Sequence, residues 1–243
     1  HSGSDEELVT LRPEFTAGIC RAFVSNGLYD QVPFKVFARG PVFRHERPQK
    51  GRQRQFHQIN LELLGVSDPQ ADIEVLAIAH HILKSLDIAE NCTLHINTLG
   101  DPGCRAQYKE ILVAYLEPYK SELSEESQTR LFRNPMRIFD SKSEQDQIII
   151  ADAPLLRDHL NDFSRRFFHE VCEGLARIDI PFELEPGLVR GLDYYTHTAF
   201  EFVTESLGAQ GAVIAGGRYD GLIEQLGGRA TPGVGWAGGV ERL

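Results

Sequence analysis

The sequence predicts an α+β protein: an antiparallel sheet flanked by helices, with a helical insertion between two halves of the sheet. Three observations predict it. Strand-like alternation fills much of the first hundred residues and returns after residue 179. The stretch between them is helix-rich and crowded with Glu, Lys, Arg, Gln and Ser. No regular strand–helix alternation, the mark of a parallel sheet, runs through the chain.

Taken in order, Leu11–Ala17 reads as a strand end or loop, followed by a helix from Thr16 to Asn26. Phe34–Phe43 is strand-like, with an interruption expected at Gly40-Pro41. Gln55–Leu64 alternates cleanly: His57, Ile59, Leu61 and Leu63 point one way, and Phe56, Gln58, Asn60, Glu62 and Leu64 the other. Asp68-Pro69 opens a helix to Leu86, with Asp68 as N-cap and Pro69 in the first turn. Apolar residues surround much of its axis (Ile73, Val75, Leu76, Ile78, Ile82, Leu83), so it is expected to be well buried. Cys92–Leu99 reads as a strand. Helices follow at Tyr108–Leu116, Glu125–Phe132 and Asp162–Ile178, then strands at Phe182–Val189, Tyr195–Val203 and Ala212–Ala215. The division is therefore 1–100, 101–178 and 179–243, the middle part being the insertion.

Composition narrows the function classes. The 243 residues carry 25 Lys and Arg against 35 Asp and Glu, a formal charge of −10, which argues against a generic nucleic-acid coat. With 42% apolar and 25% charged residues, usage is that of an ordinary globular protein. No apolar run approaches the ~18–20 residues that span a bilayer, and the first residues do not read as a signal peptide. The four cysteines show no C-x-x-C spacing, so neither a zinc ribbon nor a redox pair is visible and cytosolic free thiols are expected.

Against this acidic background one segment stands out. Lys35, Arg39, Arg44, Arg47, Lys50, Arg52 and Arg54 are opposed only by Glu46, a local charge of +6. Phe43–Gln58 reads as strand, basic loop and strand, a hairpin able to hold a polyanion. Phe56 can stack on a purine or belong to the core. Gln58 and Glu62 lie on one face about 13 Å apart, fitting either a polar pocket floor or a solvent-facing side. Arg190-Gly191-Leu192-Asp193-Tyr194-Tyr195 forms a turn between strands, and Ala215-Gly216-Gly217-Arg218-Tyr219-Asp220-Gly221 reads as the end of a strand opening a helix. Gly233–Leu243 is a glycine-rich strand entering a helix; its glycines leave room for a flat ring, and Arg242 can cover that ring or hold a terminal phosphate. His80-His81, mid-helix, read as structural. No P-loop occurs, nor a G-x-G-x-x-G turn following a strand.

These segments, in this order, resemble bacterial histidyl-tRNA synthetases, a family of class II aminoacyl-tRNA synthetases, through almost the whole chain from Leu11. Phe43–Gln58 looks like the class II motif 2 hairpin and Gly235–Arg242 like motif 3. Leu188–Tyr195 and Ala215–Asp220 look like the two histidine-specific signatures, and Leu11–Ala17 like the segment that holds the substrate amino group.

The resemblance implies a class II synthetase-type sheet and a histidine–tRNA ligase catalytic core. That core would use ATP, Mg²⁺, L-histidine and the tRNA for histidine, in a cytoplasmic homodimer with no membrane association. Arg44 would bind the ATP α-phosphate, and Glu46 would meet adenine or make a metal-side contact. Phe56 would stack on adenine, and Arg242 would clamp its other face or the γ-phosphate. Lys50, Arg52 and Arg54 would meet ATP phosphates or the tRNA acceptor end. Glu14 and Thr16 would bind the amino group of histidine, and Gln58 would orient its carboxylate or amino group. Glu62, with Tyr195 and Tyr219 and beside Tyr194, would line the imidazole pocket. Arg190 would stabilise charge at the α-phosphate during attack, making Arg190 and Arg44 the catalytic pair. No metal site built from protein ligands alone is expected. The family's motif 1 and anticodon-binding domain are expected to be absent from this chain. The alternative is a synthetase-like, non-catalytic histidine-sensing or regulatory domain.

Overall fold

The computed structural model describes residues 10–45, 52–189, 194–206 and 211–243. Among them a seven-stranded sheet runs in the order β1-β2-β7-β6-β5-β3-β4. The strands are β1 (Phe34–Phe43), β2 (Gln55–Leu64), β3 (Thr93–Thr98), β4 (Glu183–Leu184), β5 (Thr196–Val203), β6 (Ala212–Arg218) and β7 (Gly233–Gly239). Every neighbouring pair is antiparallel except β3–β4, which is parallel. The helices are α1 (Thr16–Ser25), α2 (Pro69–Ser85), α3 (Pro102–Leu116), α4 (Glu125–Arg133), α5 (Glu144–Ile150), α6 (Asp162–Arg177) and α7 (Leu222–Gln225).

α2 starts as its sequence predicts: the Asp68 carboxylate accepts from the Gln70 N–H, and Pro69 occupies the first turn. Val75, Leu76, Ala79 and Leu83 are fully buried, whereas Ile78 and Ile82 are only half-buried. α2 packs with Phe167, Val171 and Leu175 of α6 against Leu94 and Ile96 of β3, Phe200 and Phe202 of β5, and Trp236 of β7. On the other side of the sheet, Cys20 and Phe23 of α1 meet Leu64, Tyr219 and Ile223. α3, α4 and α5 bury a separate cluster that includes Tyr108, Leu112, Leu131, Ile138 and Ile150.

Three local expectations are corrected. Gly40-Pro41 does not interrupt β1, which pairs with β2 through both residues, Gly40 opposite Gln58 and Pro41 opposite His57. β1 is an edge strand, where a missing N–H can face away from the partner. The strand expected over Phe182–Val189 is reduced to Glu183–Leu184. Beyond it the chain turns at Pro186-Gly187, and Asn97 Nδ2 donates to the carbonyls of Pro186 and Leu188 at 3.1 and 3.0 Å. β6 does not end before Gly216-Gly217 but runs through both to Arg218, and α7 is only one turn long.

Candidate functional site

The faces of β2, β7 and β6, the entry to α1 and the approach to β5 enclose a cavity of ≈470 Å³. β2 sets its layout, because alternation sends Phe56, Gln58, Asn60 and Glu62 to one face in steps of about 7 Å. The cavity is lined by Glu14, Thr16, Arg44, Phe56, Gln58, Tyr194, Tyr195, Tyr219 and Arg242 from the sequence-derived set.

Glu62 lies one layer below the surface, fully buried. Thr16 Oγ1 donates to its Oε1 at 2.6 Å, and the Tyr219 hydroxyl donates to its Oε2. Burial pushes the carboxyl pKa up to about 7 despite the hydroxyls of Thr16 and Tyr219, which pull it down. Asn60 adds to this pull without a hydrogen bond of normal geometry. No described cation pairs with Glu62. The lining hydroxyls of Thr16 and Tyr219 therefore present this carboxylate's influence to the cavity. Glu14 sits at the start of α1, its carboxylate accepting from the Ala17 N–H at 3.1 and 3.2 Å.

Tyr194, Tyr195 and Tyr219 form an aromatic wall, with ring centroids 4.6 Å apart for the first two and 5.8 Å from Tyr194 to Tyr219. Arg105 of α3 reaches this wall and donates from Nη1 to the Tyr195 carbonyl at 2.7 Å. At the opposite end, Arg44 stacks over Phe56 at 5.1 Å and donates from Nε to the Pro13 carbonyl at 3.0 Å. Arg242 donates from Nη1 to the Ala212 carbonyl at 2.8 Å. Glu241 accepts from the His57 N–H at 3.0 Å and contacts its Nδ1 at 2.9 Å, tying the segment after β7 to the base of the hairpin.

The remaining sequence-derived residues fall elsewhere. Arg52 lies outside the cavity lining. Glu46, Lys50 and Arg190 lie outside the described residues. The glycine expectation changes at Gly235: a Cβ there would sit 1.9 Å from Glu62 Oε2 and 2.5 Å from the Leu61 carbonyl. This glycine makes room for the protein's own carboxylate rather than for a ligand ring. Arg218, in the same signature segment as Tyr219, lies outside the cavity lining. It is fully buried, donates from Nε to Asp72 Oδ2 at 3.0 Å and from Nη1 to Asp220 Oδ1 at 3.0 Å, and also bonds the carbonyls of Val66 and Asp68. The buried pair anchors the end of β6 to α2 directly before Tyr219.

Sequence reasoning assigned no role to Asn60, Ala215, Trp236 or Ala237, which also line the cavity. For Asn60 the signal was present, since it shares the alternating face with Gln58 and Glu62. Among the described residues no three acidic, His or Cys side chains converge as a metal site, and no helix is long and apolar enough to cross a membrane.

A seven-stranded sheet, antiparallel but for its β3–β4 edge, with a glycine-rich strand beneath this cavity, is the arrangement of a class II tRNA synthetase core domain. The chain belongs to the family of the class II tRNA synthetase core domain (G, H, P, S and T), whose model matches residues 2–234. It is 60% identical to a histidine–tRNA ligase of Rhodospirillum rubrum over 97% of this chain and 57% of that protein. It is 56% identical to one from Gluconobacter oxydans over 98% of this chain and 57% of that protein. The structure of apo histidyl-tRNA synthetase from S. aureus matches with a TM-score of 0.77 at 36% identity, covering 95% of this chain and 55% of that one. The chain thus spans a little over half the length of the relatives it matches.

Proposed function

We propose that this chain is the catalytic core of a histidine–tRNA ligase, which joins L-histidine to ATP as histidyl-adenylate and then transfers histidine to the 3′ end of its tRNA. One observation carries the reading. A single cavity has a buried carboxylate behind two hydroxyls at one end and an arginine stacked on a phenylalanine at the other. The first end suits an amino acid with N–H donors; the second suits a purine nucleotide with its phosphates. The identity to histidine–tRNA ligases supports the choice of amino acid.

In the activation step a carboxylate oxygen of histidine attacks the α-phosphorus and a C–O–P anhydride forms. The bond between the α-phosphorus and its bridging oxygen breaks, and pyrophosphate leaves with the electron pair. The attacking carboxylate is ionised at pH 7, so the protein supplies positioning and positive charge more than a base. Arg44 and Arg190 are the proposed sources of that charge. Phe56 and Arg242 hold the nucleotide, with Glu46 and Arg52 at its adenine or phosphates, and Mg²⁺ enters as part of the substrate on the phosphates. Glu14, Thr16 and Gln58 hold the amino and carboxylate groups of histidine. Tyr194, Tyr195 and Tyr219, backed by Glu62, enclose the imidazole. A ring lacking the N–H leaves buried acceptors unpaired, which disfavours competing amino acids strongly.

The same reading places the protein in the cytoplasm as a homodimer, and takes 101–178 as a helical insertion whose last helix returns to the sheet. The test is ATP–pyrophosphate exchange across the standard amino acids. Exchange driven by histidine alone is expected. Histidine binding without exchange would point instead to a sensing domain, and exchange with another amino acid would overturn the assignment.

A further inference from the structure

Asn60 sits in the middle of β2, on the face that carries Gln58 and Glu62. It is 1% exposed, and neither its Oδ1 nor its Nδ2 has a hydrogen-bond partner among the described residues. The cause is visible across the strands. Asn60 lies opposite Ala38 of β1 and Ala237 of β7, and Ala237 lies opposite Ala215 of β6. Methyl groups on both sides offer neither donor nor acceptor. Along β2, Gln58 Oε1 is itself unpartnered, and the oxygens of Glu62 are engaged by Thr16 and Tyr219, so the Asn60 amide favours the carboxylate only from a distance and makes no hydrogen bond to it. A buried amide unpaired at both ends is unfavourable in the free protein. This one lines the cavity, where a ligand can bring the missing donor and acceptor.

We propose that Asn60 is a recognition residue for the amino-acid substrate, its Oδ1 accepting from a substrate N–H and its Nδ2 donating to a ring nitrogen or a carboxylate oxygen. The identity of the ligand rests on the adenylation reading above. Position assigns the amide to the amino acid rather than to the nucleotide. Asn60 is one same-face step, about 7 Å, from both Gln58 and Glu62, and two steps, about 13 Å, from Phe56.

The test compares the wild-type chain with Asn60→Ala and Asn60→Leu. Histidine titration calorimetry, ATP–pyrophosphate exchange and thermal unfolding without ligand are measured for each. The Kd and KM for histidine are expected to rise about tenfold, the loss of a net hydrogen bond. The KM for ATP stays within twofold. The Tm of the free protein holds or rises, because an unpaired buried amide has been removed. Unchanged histidine affinity in both variants overturns the role of Asn60. So does a Tm drop of several degrees with histidine and ATP constants worsening together, the mark of a scaffold residue. A wild-type chain that binds histidine without exchange overturns the adenylation reading alone, and calorimetry on the variants then decides Asn60.

Discussion

Replacing Glu62 by Gln isolates the cost of holding a charge beneath the pocket. The carboxyl is fully buried and its pKa is raised from an ordinary 4.5 to about 7. Between those values the folded state holds a proton that the unfolded state has released, so stability falls as pH rises through the window. The gap, at about 1.4 kcal/mol for each pH unit, comes to about 3 kcal/mol lost between pH 4.5 and 7 and fully absent below 4.5. Glutamine keeps the shape without the titration. Its carbonyl can accept from one of the Thr16 and Tyr219 hydroxyls, and its amide can donate to the other once that hydroxyl rotates. Urea unfolding of both proteins at pH 5, 6, 7 and 8 reads the effect. The difference between the two curves cancels every group common to both. Glu62→Gln is expected to gain on the wild type steadily across the window, reaching about 3 kcal/mol at pH 8. Histidine affinity should fall in the variant, since the pocket loses its negative charge. Parallel stability curves would refute the argument, because they would mean Glu62 is ionised at its ordinary pKa in the fold.

Three further outcomes are expected. Gly235→Ala drives a methyl group against Glu62 and the Leu61 carbonyl; a stability loss of about 3 kcal/mol by urea unfolding, with histidine binding lost alongside, is expected, and a neutral result would mean β2 and β7 are not this close. Asp72→Ala leaves the buried Arg218 guanidinium with Asp220 as its one remaining carboxylate among the described residues; denaturant titration should show a loss of about 3 kcal/mol, and less than 1 would argue that Asp220 or water takes over the charge. Asp146 accepts from Ser124, Ser127 and Ser141 at 2.5–2.8 Å, and although burial pushes its carboxyl up, these hydrogen bonds hold it down at about 2. Its contribution is therefore present above about 3.8 and lost as pH falls through about 2. Asp146→Ala should cost about 2 kcal/mol at pH 7 and leave histidine affinity unchanged; altered histidine affinity would show that the helical cluster feeds the pocket.

What was legible in the sequence divides by the range of the interactions that decide it. β2 was readable because alternation is a local property: one face carries Gln58, Asn60 and Glu62, and the structure keeps that face at the cavity. The start of α2 was readable because Asp68 caps its own helix two residues away. Phe182–Val189 failed because Asn97, far off in sequence, captures the Pro186 and Leu188 carbonyls and a turn forms at Pro186-Gly187. Gly216-Gly217 read as a turn because glycine is locally a turn residue. In the fold a Cβ on Gly216 would lie 2.1 Å from the Gly235 carbonyl, so its glycine answers a neighbouring strand rather than a bend. The place of Arg218 was equally beyond local reading, since its partner Asp72 lies far off in the sequence.

The same division explains why the chemistry of the pocket is built in two layers. Short-range sequence signals mark the outer layer: Arg44, Phe56 and the tyrosines, which line the cavity. Long-range packing makes the inner layer: Glu62 beneath Thr16 and Tyr219, Gly235 leaving its space, and Arg218 pinned to Asp72 one residue before Tyr219. A hydroxyl that donates to a buried carboxylate has its lone pairs turned towards the cavity, so it accepts from a ligand N–H more readily than a free hydroxyl does. The inner layer thereby fixes the direction of the outer layer's hydrogen bonds. On the proposed adenylation reading, substitutions in it should alter the choice of amino acid before they alter the handling of ATP.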